Sequence, residues 1–276
     1  MATRPATSTN SVGYQTRALA RALAILDAFT ADDAALTVKD LHLKLDLPKP
    51  TISRLASMLE QHGFLRRSDG AYELGPKTFE LGSLYVRQHR VFERFRRPLE
   101  TLSAESKQTA CLAEIAGPSI VHLLIVPSPM PVQHVTETGS RAPTHATALG
   151  KTLLASLDAD DASRLLGDGS LARFTSNTIT DRDELFAELD QVRRRGYAVD
   201  NEEYAEGLMC VAIAIELEDV GLVAISVSGP SADYTRGATS RFVKLLRRTA
   251  VTLGDEVANA AEYSVATGFG SEALTG

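Results

Sequence analysis

The chain has 276 residues, of which 44% are hydrophobic and 23% charged, with a net charge of -6. That is enough apolar material for packed cores in one large domain or two smaller ones. No apolar run approaches the ~20 residues that span a bilayer, so a membrane protein is excluded. The charge is unevenly spread: residues 1–97 hold fifteen Lys and Arg against ten Asp and Glu, a net +5, and residues 98–276 hold fourteen against twenty-five, a net -11. A basic first part joined to an acidic second part fits two domains of which only the first touches nucleic acid. The basic excess is modest, so binding is expected to use two copies of the module together. The two cysteines, Cys111 and Cys210, make no metal-type pair and fit a reduced cytoplasm. Neither a metal nor a cofactor is expected.

Residues 1–13 are polar, lack the apolar centre of a signal peptide, and read as a disordered arm. A helix over 14–30 follows, with Leu19, Ala22, Leu23, Ile25, Leu26 and Phe29 on one side. Thr37 can cap the next helix, with the Asp40 carboxylate three residues on near the positive helix end, and Val38, Leu41 and Leu45 recur at helical spacing. Pro48 or Pro50 suits the first turn of a further helix. Its apolar stripe is Ile52, Leu55, Met58 and Leu59. Lys49, Thr51, Ser53, Arg54 and Ser57 fall on its other faces, and these side-chain types bond phosphates and base edges when a helix enters the major groove. Gly63 ends that helix, and Asp69-Gly70 closes a hairpin whose Arg66 and Arg67 can reach phosphate. Residues 14–75 thus read as a winged helix-turn-helix, whose partner is double-stranded DNA.

Residues 76–97 read as a helical linker ending in an arginine-rich stretch that Pro98 interrupts. Phe92 and Phe95 there fit self-association and a core equally well. From 98 to 263 the pattern is α+β: strands over 110–115, 120–126 and 132–137, helices over 148–157, 160–166 and 183–195, strands over 209–217 and 222–228, and a long helix from Gly237 or Ala238 to about Glu262. Residues 264–276 read as a flexible tail.

These residues carry a resemblance. The chain resembles the IclR family of bacterial transcriptional regulators, through Lys49-Pro50-Thr51-Ile52-Ser53-Arg54-Leu55 and His62-Gly63-Phe64-Leu65 in the first domain. More specific are His145-Ala146-Thr147-Ala148-Leu149-Gly150-Lys151, the stretch Arg195-Gly196-Tyr197-Ala198-Val199-Asp200-Asn201-Glu202-Glu203, and Ala224-Ile225-Ser226-Val227-Ser228-Gly229-Pro230. The resemblance implies a GAF-like C-terminal domain with an antiparallel sheet that binds a small organic-acid effector. It also implies a homodimer or dimer of dimers on a palindromic operator. Carried over position by position, the effector site is Thr144, Ala148, Leu149, Asp200, Leu208, Cys210, Ser226 and Ser228. Two pieces of physics agree: Ser226 and Ser228 are two apart and share a strand face, and a helix N-terminus near Ala148 seats a carboxylate.

Other readings stand beside this one. The two serines also fit an ordinary half-solvated strand, and Cys210 a small buried hydrophobe. Gly150-Lys151-Thr152 copies the end of a phosphate-binding loop, but the glycine that loop needs five residues earlier is His145, so nucleotide hydrolysis is rejected. Cys210 with His145 would be the minimum for a thiol hydrolase, yet no third orienting residue is evident. A constitutive DNA-binding protein with a vestigial pocket is the remaining alternative.

Overall fold

The computed structural model describes residues 9–30, 32–88, 91–130, 136–218, 220–235 and 237–266. The chain divides into two compact units, residues 1–88 and 89–276.

In the first unit α1 spans Thr9–Asp27, so residues 9–13 belong to the helix and not to the expected arm; residues 1–8 lie outside the described part. Helix α2 (Val38–Leu45) starts as its sequence dictates. Thr37 Oγ1 accepts the Asp40 N–H at 3.2 Å and Asp40 Oδ2 accepts the Thr37 N–H at 2.9 Å, a closed capping box. Asp46 turns left-handed at φ 51°, and α3 (Lys49–Gln61) begins directly after Pro48. Strands β2 (Leu65–Ser68) and β3 (Ala71–Leu74) form the hairpin, with Asp69 and Gly70 both at positive φ, as a two-residue turn of matching twist requires. A two-residue strand, β1 (Ala35–Leu36), adds to the other edge of β3 and was not legible in the sequence. Ile25, Leu36, Leu41, Ile52, Leu55, Leu65 and Tyr72 make the core, whereas Met58, expected in the apolar stripe, is half exposed. Helix α4 (Pro76–Gln88) closes this unit.

The second unit is a six-stranded antiparallel sheet in the order β6-β5-β4-β9-β8-β7. Its strands are β4 (Thr109–Ala116), β5 (Ser119–Val126), β6 (Arg141–Pro143), β7 (Ala198–Asn201), β8 (Leu208–Leu217) and β9 (Gly221–Pro230). The expected strand over 132–137 falls mostly outside the described residues, and β6 occupies the edge beside β5. Side chains alternate between two cores. Leu112, Val211, Ile213, Ile225 and Val227 meet α5 (Val91–Ser106) and α9 (Ala238–Ala266) on one face. Cys111, Ala113, Cys210, Ala212 and Ala224 meet α6 (Ala148–Ala155), α7 (Ala159–Leu166) and α8 (Arg182–Arg195) on the other.

Pro98 does not interrupt the chain as expected but sits inside α5. The helix runs through it because Phe95, Leu99 and Leu102 are all buried in the core, and that burial outweighs one missing backbone bond. The same burial gives Phe95 a core role.

Candidate functional site

In the first unit α3 buries Ile52, Leu55 and Ala56 and turns Lys49, Ser53 and Arg54 to solvent, with Thr51 and Ser57 half-buried at its flanks. A cleft of about 130 Å³ lies between α1 and α3, lined by Arg17, Ala18 and Arg21 on one side and Thr51, Arg54 and Leu55 on the other. Arg17 and Arg21 were not singled out from sequence. Their spacing of four, which puts them on one helix face, was the available signal. In the wing Arg66 Nε donates to Glu73 Oε2 at 2.8 Å. Arg67 donates to the Tyr72 hydroxyl and stacks on that ring, 4.9 Å from its centroid. The two arginines are therefore braced within the hairpin.

In the second unit the pairing register brings distant residues into rows. Asp200 lies opposite Cys210, Cys210 opposite Ser228, and Ser228 opposite Thr109. The next row runs Ala198, Ala212, Ser226, Cys111. Residues directly opposite in an antiparallel sheet share a face, and this is the face that α6 covers. Ser226 is fully buried and its Oγ makes no hydrogen bond. The thiols of Cys111 and Cys210 lie near enough for that hydroxyl to ease their ionisation, but burial dominates and pushes Cys111 up to about 12 and Cys210 well above the ordinary thiol value. Leu208 sits at the end of β8 opposite Pro230, only partly buried.

Helix α6 supplies the other wall. Thr147 caps it, its Oγ1 accepting the Gly150 N–H at 3.1 Å. The first-turn N–H groups of Ala148 and Leu149 have no partner within the helix and stay available to another acceptor. Gly150 is where the loop touches the helix: a Cβ there would stand 2.3 Å from the Thr144 Cα, so only glycine fits. Thr144 is fully buried, and its hydroxyl is committed to the Pro118 carbonyl at 3.0 Å, so it holds the loop and offers no free donor. His145 likewise bonds the Ala172 carbonyl, at 2.9 Å.

Asp200 is 2% exposed, and its Oδ1 accepts the N–H groups of Glu203 at 2.7 Å and Tyr204 at 3.4 Å. Burial, and then the nearby Glu203 charge, raise its pKa to about 7 against the pull of those bonds and of Lys151. Lys151, 1% exposed, pairs with Glu203 at 2.5 Å. It is thus withdrawn from any phosphate-binding role. Sequence reading missed Lys151 and Glu203 as a pair because 52 residues separate them.

A helix-turn-helix with an exposed polar face, carried in one chain with a sheet domain that buries unsatisfied polar groups, defines the class of DNA-binding regulators with a separate sensory domain. Residues 18–69 match the IclR helix-turn-helix domain, and residues 83–254 match the C-terminal domain of the bacterial transcriptional regulator IclR. The chain is 36% identical to the HTH-type transcriptional regulator BhcR of Paracoccus denitrificans (strain Pd 1222), over 78% of each chain. It is 35% identical to the HTH-type transcriptional repressor AllR of Escherichia coli (strain K12), over 85% of this chain and 88% of that one. Among solved structures, an IclR homolog from Microbacterium hydrocarbonoxydans complexed with 4-hydroxybenzoate shares the fold, at 24% identity and a TM-score of 0.73, covering 88% of this chain and 99% of that one. The chain belongs to the IclR family of bacterial transcriptional regulators.

Proposed function

We propose that this regulator binds a palindromic double-stranded DNA operator as a homodimer or a dimer of dimers, and that a small organic acid tunes the affinity. The DNA contacts come from Lys49, Thr51, Ser53, Arg54 and Ser57 on α3 and from Arg66 and Arg67 on the wing, with Arg17 and Arg21 holding phosphate beside them. The acid sits between the first turn of α6 and the sheet face that carries Asp200, Leu208, Cys210, Ser226 and Ser228. One observation carries this: Ser226 Oγ is fully buried, without a hydrogen bond, on the sheet face that α6 covers. A buried unsatisfied hydroxyl is costly and calls for a ligand atom. The ligand shifts DNA affinity only by its differential affinity for two arrangements of the dimer.

Self-association is supported by exposed apolar side chains, Leu19 and Leu23 on α1 and Phe79, Leu81 and Leu84 on α4. The cytoplasm is the compartment that fits two free, buried thiols, and no described helix is long and apolar enough to cross a membrane. A thiol hydrolase is disfavoured, because burial keeps both thiols protonated where a nucleophile needs a thiolate. The test is a thermal-shift screen of small keto acids and aromatic carboxylates. A binding acid raises the melting temperature by mass action; a folded chain that no carboxylate stabilises would remove the acid from the proposal.

A further inference from the structure

We infer that Asp200 serves the pocket as a proton donor: the site takes up a carboxylate together with one proton held on the Asp200 carboxyl, which then donates a hydrogen bond to the ligand. This rests on the reading of the pocket as an acid site. The charge balance around the site carries it. Three carboxylates, Asp200, Glu203 and Glu188, share two cations among them. Lys151 on α6 is committed to Glu203 at 2.5 Å, with Glu188 at 3.8 Å, and Arg195 holds Glu188 at 2.7 Å. The second oxygen of Glu203, Oε2, is itself buried without a hydrogen bond, so the cluster is already short of donors.

Among the described residues, the other groups that burial shifts here are Cys210 on β8 and Tyr234 beyond β9, which interact with Asp200, and Cys111 on β4, which interacts with Cys210; burial pushes all three upward, so all are neutral near pH 7. None of them supplies positive charge. An incoming carboxylate would set four anions against two cations; Asp200, Glu203 and Lys151 among them are buried, where such an excess is costly, while Glu188 and Arg195 are partly exposed. A proton on Asp200 removes one of the four and turns one of its oxygens from acceptor to donor. Asp200 already holds that proton about half the time near pH 7 in the free chain, because burial and Glu203 raise its pKa to about 7. A second negative charge beside it strengthens the hold. Its two backbone bonds fix Oδ1 on the turn, so the proton belongs on the other oxygen.

The linkage gives the sign. The folded state binds this proton more tightly than the unfolded chain, so ligand-free stability falls as pH rises from about 4 to about 7 and is level above that. Ligand affinity falls about tenfold per pH unit above about 7, one proton entering with each acid. Asp200→Asn, which donates from Nδ2 at every pH, removes both effects.

The experiment uses the full chain with pyruvate and benzoate as probes, titrated calorimetrically at about pH 6 and about pH 8 in two buffers of different ionisation enthalpy. Melting curves of wild type and Asp200→Asn without ligand run beside it. The expected results are uptake of close to one proton per acid at about pH 8 and of little at about pH 6, where Asp200 already holds it, weaker wild-type binding at the higher pH, pH-independent binding by the variant, and a stability gap between the two chains that changes up to about pH 7. Equal affinity at both values with no proton uptake, or a stability gap that does not change with pH, overturns the inference. Failure of both acids to bind at either pH, with the stability gap still changing, instead overturns the acid pocket on which the inference rests. Should Asp200→Asn not fold, the proton uptake of the wild type alone decides.

Discussion

The two units carry their functional residues in opposite ways. In the first, the side chains assigned to DNA lie on the outside of α3, and what is buried beneath them, Ile52, Leu55 and Ala56, is wholly apolar. In the second, the polar groups lie inside: Ser226, Asp200, Lys151 and Glu203 are all buried under α6 or beside it. A surface that meets a polyanion needs exposed donors and can lose one without harm to the core. A pocket that selects a small acid must exclude water, so its polar groups are part of the core and share in its stability. The difference makes the first unit's function separable from its folding, whereas in the second unit the paired groups Lys151 and Glu203 carry stability and only a partnerless group such as Ser226 can be removed cheaply.

Substitutions can break or sharpen that contrast. The largest effect is expected for Lys151→Met, which strands the Glu203 carboxylate. Leaving one partner of a buried pair costs about 3–5 kcal/mol, read as a loss of stability in urea unfolding; a change below about 1 kcal/mol would mean that water reaches the pair. Arg54→Ala should weaken operator binding by about 1–3 kcal/mol with a relaxed preference at one base pair, while thermal stability stays within experimental scatter. Unchanged affinity in a DNA titration would remove Arg54 from the contact surface. Thr37→Ala opens the capping box of α2 and should cost about 1 kcal/mol, visible as a lower melting temperature of the first unit. Smallest of all, Ser226→Ala should alter stability by less than about 1 kcal/mol, since it deletes a hydroxyl that has no partner to lose. A large loss of stability there would mean that the hydroxyl is satisfied and that the site is plain core.

The same contrast decides what could be read from the sequence. The first unit is written in local signals: Thr37 with Asp40, Pro48 before α3, and Asp69-Gly70 at the hairpin each act within a few residues. Arg195 followed by a left-handed Gly196 marks the end of α8 for the same reason. The proposed pocket is written in register. Asp200 meets Cys210, and Cys111 meets Ser226 across β4 and β9, only after the sheet has formed, and no spacing in the chain announces such pairs. The short strands β1, β6 and β7 escaped because two to four residues are too few for an alternation to show, and unlike β2 and β3 they have no tight Asp-Gly turn to mark them. The family resemblance named Asp200, Cys210, Ser226 and Ser228; it did not reveal that Lys151 is spent on Glu203, or that the Thr144 hydroxyl is turned to Pro118.

The most direct test of the central claim is an operator titration of wild type and the Ser226→Ala/Ser228→Ala double variant, each with and without a carboxylate that stabilises the wild-type chain. The account predicts that the acid changes wild-type DNA affinity by about 5- to 150-fold, the usual range of coupling between two sites. The double variant should bind DNA as the ligand-free wild type does and ignore the acid. An acid effect that survives in the double variant, or DNA binding that is lost with the two serines, would contradict it.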